Sequence, residues 1–361
     1  MIVLPDMSAI THDQTLLAGG GVGRWPKEGS DDRLLIVDSA TISGLLSVSE
    51  WIDVVEQSLR GVADGTVVQD VRQILPLPDY RDRGRVLSMM FGAVREPACF
   101  GAKVISVFPD NFDRGIDSHR GAVLLFDAED GALRALLHGG EITAARTAAA
   151  SAVATRALSR ADSRVLAVLG YGEQASRHID AIAAVRPIEE VRCWGRDNIK
   201  AAAFAERIAA RHQVRTFAST TVAEAVGGAD IVCTTTGAKM PILFGHMIEP
   251  GMHLNVIGSS TADYREIDTA AVVCSSIWVD YRAMTEVSAG EYLQALAEGA
   301  IGSDHLIGEI GTTLNGALRG RTDAEEVTMF KSLGMPAEDL YAAERLYRMA
   351  IEKGLGTRVP L

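Results

Sequence analysis

The stretch that decides the fold of this chain is Val165-Leu166-Ala167-Val168-Leu169-Gly170-Tyr171-Gly172-Glu173-Gln174-Ala175. Its first five residues are apolar and predict a buried strand, and the segment after the glycines predicts a helix. Gly170 permits a tight turn, and Gly172 lets the backbone approach a pyrophosphate at the helix N-terminus. A pair of glycines is a weak signal alone, but a strand before it and a helix after it form the context of a dinucleotide site. The alternative is a plain tight turn.

An alternation of strands and helices follows this turn along the chain. Apolar segments typical of strands lie at residues 165–169, 191–194, 214–217, 231–234, 253–257 and 277–279. Helical patterns separate several of them, for example at residues 173–185 and 200–210. Six strands joined by crossovers predict a parallel, doubly wound α/β sheet of the Rossmann type.

The chain before this sheet has a different pattern. Residues 34–37 predict a strand, and apolar spacing over residues 42–62 predicts a helix. Short apolar segments at 86–90, 101–107, 122–126 and 133–137 predict an antiparallel or mixed sheet. An alanine-rich helix is expected over 143–158, and a last helix over 337–353. Residues 1–30 contain a glycine cluster and little periodicity, which is typical of a loosely held N-terminal extension.

Composition and charge restrict the class of function. The chain has 361 residues, of which 47% are hydrophobic and 23% charged, so two globular domains are expected. A net charge of −12 disfavours nucleic acid and anionic membranes as partners. It does not exclude a small anionic substrate, which needs only a local basic pocket. The eight histidines show no metal-ligand spacing, so no metal site is predicted. Four widely spaced cysteines without a CxxC pair, and no signal or membrane-spanning stretch, predict a cytoplasmic protein with buried free thiols.

The segment after the second predicted strand bears on the choice of nicotinamide cofactor. An acid about 20 residues past the first glycines binds the ribose in NAD-binding proteins. This position is Gly195, and Arg196 follows it. A missing acid beside a guanidinium favours the 2′-phosphate of NADP. The alternative is that Arg196 is solvated and that Asp197 binds the ribose of NAD.

Two cationic side chains lie in apolar company in the first half of the chain. Lys103 lies within an apolar strand, and Arg146 lies in a helix with small residues on all sides. Buried Lys and Arg are rare unless they are paired, and a substrate carboxylate would suit both. The alternative is an outward-facing Lys103 and an internal salt bridge for Arg146. His119, in a predicted loop, is either a ligand contact or a structural residue.

Several stretches together resemble the ornithine cyclodeaminase/mu-crystallin family. They lie at residues 101–104, 142–149, 170–175, 253–258 and 330–335, and the resemblance covers residues 34–355. It implies a Rossmann domain at 150–324, inserted into a mixed α/β substrate-binding domain at 31–149 and 325–361. The second of these domains also dimerises the protein in that family, so a homodimer is expected.

The resemblance also implies roles for individual residues. Lys103 is expected to contact the substrate near the reacting centre, and Arg146 and Arg72 are expected to clamp its carboxylate. The positions expected to bind the dinucleotide are Gly170, Tyr171, Gly172, Glu173, Gln174, Arg196, Thr147, Thr234, Thr235, Thr236 and Gly258.

Two departures from the cyclodeaminase pattern favour the mu-crystallin branch of the family. Ser260 stands where cyclodeaminases carry a reacting aspartate, and Ser88 replaces an acid before Met90. The mu-crystallin branch is similar to NADPH-dependent ketimine reductases, so we expect reduction of a small α-imino acid to an amino acid, with NADP as the cofactor and NAD as the alternative. Ser260 is included among the expected catalytic positions.

Three other functions remain open at this point. They are a cyclodeaminase with bound NAD, an alanine-dehydrogenase-like enzyme, and a binding protein without catalysis. The side chain of the substrate is not readable from the sequence, because fold alone does not select the reaction.

Overall fold

The computed structural model describes residues 33–78 and 84–361, so the predicted extension at 1–30 lies outside the described residues. The first sheet has eight strands: β1 (Leu34–Val37), β2 (Val67–Gln69), β3 (Gln73–Pro76), β4 (Val86–Val94), β5 (Cys99–Val107), β6 (His119–Asp127), β7 (Leu133–His138) and β16 (Thr357–Val359). Their order is β16-β1-β7-β6-β5-β4-β2, with β3 paired to β4. Strands β1 and β7 are parallel and the other pairs are antiparallel, so the sheet is mixed.

The second sheet also has eight strands, and all of its pairs are parallel. The strands are β8 (Val165–Leu169), β9 (Glu190–Trp194), β10 (Arg215–Ala218), β11 (Ile231–Thr234), β12 (His253–Val256), β13 (Ser276–Val279), β14 (Leu306–Glu309) and β15 (Thr328–Lys331). Their order is β10-β9-β8-β11-β12-β15-β13-β14. This arrangement confirms the doubly wound α/β fold.

Two of these strands were not expected from the sequence. Strand β14 extends the edge beyond β13, and β15 is inserted between β12 and β13. Residues 328–331 therefore belong to the second sheet, although the predicted domain boundary placed them after the Rossmann domain. The chain leaves the second sheet only after Lys331.

The helices connect and cover both sheets. They are α1 (Ser39–Leu45), α2 (Val48–Ala63), α3 (Gly139–Leu158), α4 (Glu173–Ala183), α5 (Asn198–Arg211), α6 (Val222–Val226), α7 (Thr269–Val273), α8 (Arg282–Ser288), α9 (Gly290–Ala297), α10 (Ile310–Leu314) and α11 (Pro336–Lys353). No helix among the described residues has the length and apolar character needed to span a membrane.

The segment at residues 42–62 forms two helices instead of the expected one. The first helix ends at its C-cap Leu46, which has extended backbone. Ser47 begins the second with a capping box, in which its hydroxyl accepts from Glu50 N at 3.3 Å. The Glu50 carboxylate accepts from Ser47 N at 2.8 Å in return. These reciprocal bonds satisfy donors that a helix start leaves unpaired, so a break is favourable there.

Helix α3 is the structural link between the two sheets. It is buried along most of its length, and it contacts β6 of the first sheet and β12 and β15 of the second. Its many alanines allow this, because a small side chain lets a helix approach neighbours closely on every side. Cys99, Cys193 and Cys233 are buried free thiols, whereas Cys274 at the end of α7 is exposed, contrary to the expectation of a buried thiol.

Candidate active site

One edge of the second sheet collects the segments that the sequence singled out. Because all strands of this sheet are parallel, their carboxyl ends lie along the same edge, which is where open α/β sheets bind ligands. The turn after β8, the threonines that end β11, and the loops after β12, β13 and β15 all lie at this edge. The first sheet reaches the edge through Arg72, which donates a hydrogen bond to Leu333 O in the loop after β15.

The glycine turn after β8, residues 170–172, has the form of a dinucleotide site. Gly170 has φ of 132°, and a Cβ atom there would lie 2.6 Å from Thr235 Oγ1. A Cβ at Gly172 would meet no heavy atom within 4 Å. Gly172 is also the N-cap of α4 and provides no side-chain cap, which leaves the first N–H groups of that helix available. The open cradle and the free donors fit a pyrophosphate.

The two residues after Gly195 differ in their contacts and exposure. The Asp197 carboxylate caps α5, because its Oδ1 accepts from Ile199 N at 3.0 Å and from Lys200 N at 3.1 Å. Arg196 is exposed. A Cβ at Gly195 would lie 2.1 Å from the Tyr171 ring, so packing of this ring explains the glycine where an acid often stands.

The threonines at the end of β11 donate their hydrogen bonds within the protein. Thr234 Oγ1 donates to Glu266 Oε2 at 2.6 Å, and Thr236 donates to Glu266 Oε1 from both N (2.7 Å) and Oγ1 (2.6 Å). Gly258 N donates to Glu266 Oε2 at 2.6 Å, and Thr235 Oγ1 donates to Leu169 O at 3.1 Å. Glu266, which the sequence analysis missed, therefore links the end of β11 to the loop after β12.

Three cations from separate elements form what we call the cationic cluster: Lys103 of β5, Arg146 of α3 and Arg72 after β2. Lys103 is 2% exposed and its Nζ lies 2.8 Å and 3.0 Å from the two carboxylate oxygens of Asp339. Arg146 Nη1 donates to Glu338 Oε2 at 2.8 Å, and its Nε lies 3.4 Å from Asp339 Oδ1. Lys103 is thus not outward-facing, while Arg146 does have the internal salt bridge that the sequence left open.

The loop after β15 fixes the position of the arginines. Asp280, which follows β13, accepts hydrogen bonds from Leu333 N at 2.7 Å and from Gly334 N at 2.6 Å. Gly334 has φ of 76°, and a Cβ there would lie 2.3 Å from Arg146 Nη1. The guanidinium can therefore approach this backbone only because the residue is glycine.

Burial and like charges shift the proton affinities of the cluster. Burial, with the charges of Arg146 and Arg72, lowers the pKa of Lys103 to about 8 despite the opposing effect of Asp339. Burial also raises the pKa of Glu338 to about 8, against the charge of Arg146. An amine with a pKa near neutrality can donate and regain a proton under ordinary conditions.

His119, the first residue of β6, faces the same cluster. The residue is exposed at the surface, and its Nδ1 lies 2.8 Å from Ser118 Oγ. The protein atoms around the ring, together with the charges of Lys103, Arg72 and Arg146, lower the pKa of His119 to about 4. The ring is therefore neutral near pH 7.

Three other residues that the sequence singled out lie on β4, on α3 and in the loop after β12. Ser260 is half-buried in the loop after β12, and Ser88 is buried in β4, two residues before Met90, which pairs with Lys103. Thr147 follows Arg146 on α3, and its hydroxyl donates to Thr143 O at 2.7 Å. The sequence analysis missed the carboxylates Asp280, Glu338 and Asp339. The last two form an acidic pair in the first turn of α11, which could have indicated partners for the cations.

Comparisons with known proteins agree with this geometry across both sheets. A model of the ornithine cyclodeaminase/mu-crystallin family matches residues 34–354. The ketimine reductase mu-crystallin of Mus musculus is 37% identical over 284 residues, which is 79% of this chain and 86% of that protein. The Δ1-pyrroline-2-carboxylate reductase of Bacillus cereus is 30% identical over 327 residues, 90% of this chain and 99% of that protein. The solved structure of the Thermococcus litoralis Δ1-pyrroline-2-carboxylate reductase in complex with NADH and L-proline has a TM-score of 0.87 at 31% identity, and the match covers 90% of this chain and 100% of that one.

Proposed function

Because the chain belongs to the ornithine cyclodeaminase/mu-crystallin family, we propose that it reduces the C=N bond of a small α-imino acid with NAD(P)H. The chain is an NAD(P)-dependent oxidoreductase acting on carbon–nitrogen bonds, as its similarity to two kinds of imine reductase supports. The observation that carries the proposal is the buried Lys103, grouped with Arg146 and Arg72 at the edge that also has the glycine turn.

The glycine turn and the N-terminus of α4 would hold the pyrophosphate of the dinucleotide. Gly172 leaves space for it, and the first N–H groups of α4 would donate to it. When bound, the reduced nicotinamide supplies the hydride for the imine carbon.

The two arginines of the cationic cluster would bind the substrate carboxylate. Arg146 is buried and Arg72 half-buried, and a guanidinium binds a carboxylate bidentately. Arg146 already pairs with Glu338, whose pKa is raised to about 8 by burial. Protonation of Glu338 would release Arg146 to the substrate, because a neutral carboxyl competes less well for the guanidinium.

Lys103 would donate the proton that the reaction requires. The α-imino acid takes a hydride at carbon and a proton at nitrogen, which gives the amino acid and the oxidised cofactor. The pKa of Lys103 of about 8 keeps its ammonium protonated near neutral pH yet able to release the proton. Asp339, within 3.0 Å, orients this ammonium and helps it to regain a proton.

The test is a screen of cyclic and linear α-imino acids with NADH and NADPH, monitored by absorbance of the reduced nicotinamide. We expect cofactor oxidation that depends on the imino acid and needs no free ammonia. Release of ammonia from ornithine without net cofactor oxidation would instead identify a cyclodeaminase. A strict need for free ammonia with a 2-oxo acid would identify an amino acid dehydrogenase.

We also propose that NADPH is preferred over NADH. Arg196 is exposed next to the crevice and Asp197 is engaged in capping α5, which supports a 2′-phosphate site at Arg196. Arg196→Ala should lower kcat/KM for NADPH more than for NADH. Arg207→Ala, at an exposed position of the helix α5 that follows Arg196, is the matched control and should leave the ratio unchanged.

A homodimer through the outer face of the first sheet is the proposed assembly. Apolar side chains are exposed on the face of this sheet opposite Lys103: Val68 is 76%, Leu75 62%, Met89 39% and Phe91 38% exposed. Monomers rarely expose such a contiguous apolar surface, and a second copy of the same face would cover it. Phe91→Glu should convert a dimer into a monomer in light scattering, whereas an unchanged mass would contradict this interface.

The buried free thiols Cys99, Cys193 and Cys233 support a reducing, cytoplasmic location.

A further inference from the structure

A second group of buried charges lies behind the loops that follow β11 and β12. Glu266, Glu291 and Lys331 are each at most 1% exposed. Lys331 Nζ lies 3.0 Å from Glu291 Oε2 and donates to Ser259 O at 2.6 Å. Glu291 Oε1 accepts from the backbone N of Glu266 at 3.1 Å. The proposed reduction uses none of these three side chains, yet burying them carries a large desolvation cost.

The Glu266 carboxylate joins the ends of two neighbouring strands. Each of its oxygens accepts one backbone N–H, from Thr236 on the β11 side and from Gly258 on the β12 side. Each oxygen also accepts a hydroxyl, from Thr236 and from Thr234. Because backbone N–H groups only donate, both oxygens must act as acceptors, which an ionised carboxylate does best. Burial raises the pKa of Glu266, and the bonds from the two threonines act against that rise.

The group has an excess of negative charge at the ends of β11 and β12. Two carboxylates and one ammonium leave a net charge of −1. Thr235, between the two threonines that bond Glu266, packs against the glycine turn, where a Cβ on Gly170 would lie 2.6 Å from its hydroxyl oxygen. The nicotinamide ring is neutral when reduced and positively charged when oxidised. A buried negative charge near this ring stabilises the oxidised form, because charges interact more strongly away from water.

We propose that Glu266 is a positioning residue of the nicotinamide site. Glu266 joins the ends of β11 and β12, and together with Glu291 and Lys331 it creates a negative electrostatic potential that favours the oxidised ring. This inference rests on the proposed NAD(P)H-dependent reduction. Positive charge develops on the ring as hydride leaves, so a fixed negative charge there assists the transfer. The cationic cluster has a separate proposed role, which is to bind the substrate carboxylate.

The test compares the dissociation constants of NADP⁺ and NADPH for each variant, measured by titration calorimetry. The ratio isolates the ring charge, because both forms have the same phosphates. Glu266→Gln and Glu291→Gln each reduce the net charge to zero and should weaken NADP⁺ relative to NADPH by about fivefold. Lys331→Met makes the net charge −2 and should shift the ratio in the opposite direction. Thr234→Val removes a hydrogen bond to Glu266 without changing charge, and it should weaken both forms alike.

The outcomes separate this inference from the proposed function. An unchanged ratio in Glu291→Gln, or equal shifts in Glu291→Gln and Thr234→Val, would overturn the electrostatic role of the group. Lys331→Met leaves two buried carboxylates without their cation and so risks failing to fold. Glu291→Gln and Thr234→Val test the electrostatic role without it. A wild-type protein that binds neither NADPH nor NADH would overturn the proposed function and this inference with it.

Discussion

Replacement of Lys103 by methionine removes the group that the proposed mechanism uses as its proton donor. Methionine has a similar length and no charge, so the side chain still fills the space between β5 and α11. The ammonium lies within 3.0 Å of Asp339, and Arg146 Nε lies 3.4 Å from the same carboxylate. Asp339 therefore keeps one cationic partner in the variant, which limits the loss of stability that an unpaired buried charge would cause.

The magnitude follows from the role assigned to the lysine. A positioned general acid contributes about 10²- to 10⁴-fold to a rate, so kcat should fall by that factor, or about 3 to 5 kcal/mol of activation free energy. The dissociation constant for NADPH should stay nearly unchanged, because the glycine turn is on the other sheet. Wild-type kcat should also fall as the pH rises above about 8, where Lys103 loses its proton, and the variant should lack this decrease.

The assay is steady-state oxidation of NADPH with an α-imino acid, together with fluorescence titration of NADPH. Lys353→Met, at an exposed position near the end of α11, is the matched control and should behave as the wild type. A Lys103→Met variant that retained more than a tenth of the wild-type kcat, with the same pH profile, would refute the assignment of Lys103 as proton donor.

Three further perturbations test other parts of the account. Burial raises the pKa of Glu338 from 4.5 to about 8, so the stabilisation from its proton is complete below pH 4.5 and is lost as the pH rises through 8. Urea unfolding should therefore show a weaker loss of stability between pH 5 and 9 in Glu338→Gln than in the wild type, and parallel curves would contradict the shift. Gly334→Ala places a Cβ 2.3 Å from Arg146 Nη1, so KM for the imino acid should rise at least about tenfold with little change in NADPH affinity; equal losses of both would refute the local effect. Ser47→Ala removes the capping box of α2 and should cost about 1 kcal/mol of stability, seen as a lower Tm with unchanged kinetics, whereas altered kinetics would mean that this helix start affects the site.

The central strands of the second sheet were predictable because they are buried and separated by amphipathic helices. Buried parallel strands form continuous apolar runs, and such runs at residues 165–169 and 231–234 coincide with β8 and β11. Strand β15 was not predictable in this way. It is four residues long, includes the charged Lys331, and joins the sheet from a distant part of the chain.

Local chemistry explains the other differences between expectation and structure. The helix predicted over residues 42–62 is broken at Ser47, because the capping box there favours the start of a new helix. The spacing of the apolar residues alone does not reveal this break. The carboxylate partners of the cations come from α11, more than a hundred residues away from Lys103 and Arg146. The sequence indicates that a buried cation requires a partner of opposite charge, but only the folded chain shows that Asp339 and Glu338 are these partners.

The most direct test of the central claim is the fate of the transferred hydride. The account requires that the cationic cluster holds the imine carbon against the nicotinamide of the second sheet, so that hydride passes directly between them. With NADPH deuterated at the transferring position of C4 and an α-imino acid that the protein reduces, mass spectrometry of the amino acid product should show one deuterium at the α-carbon. An amino acid product formed without deuterium from either C4 position would contradict the account.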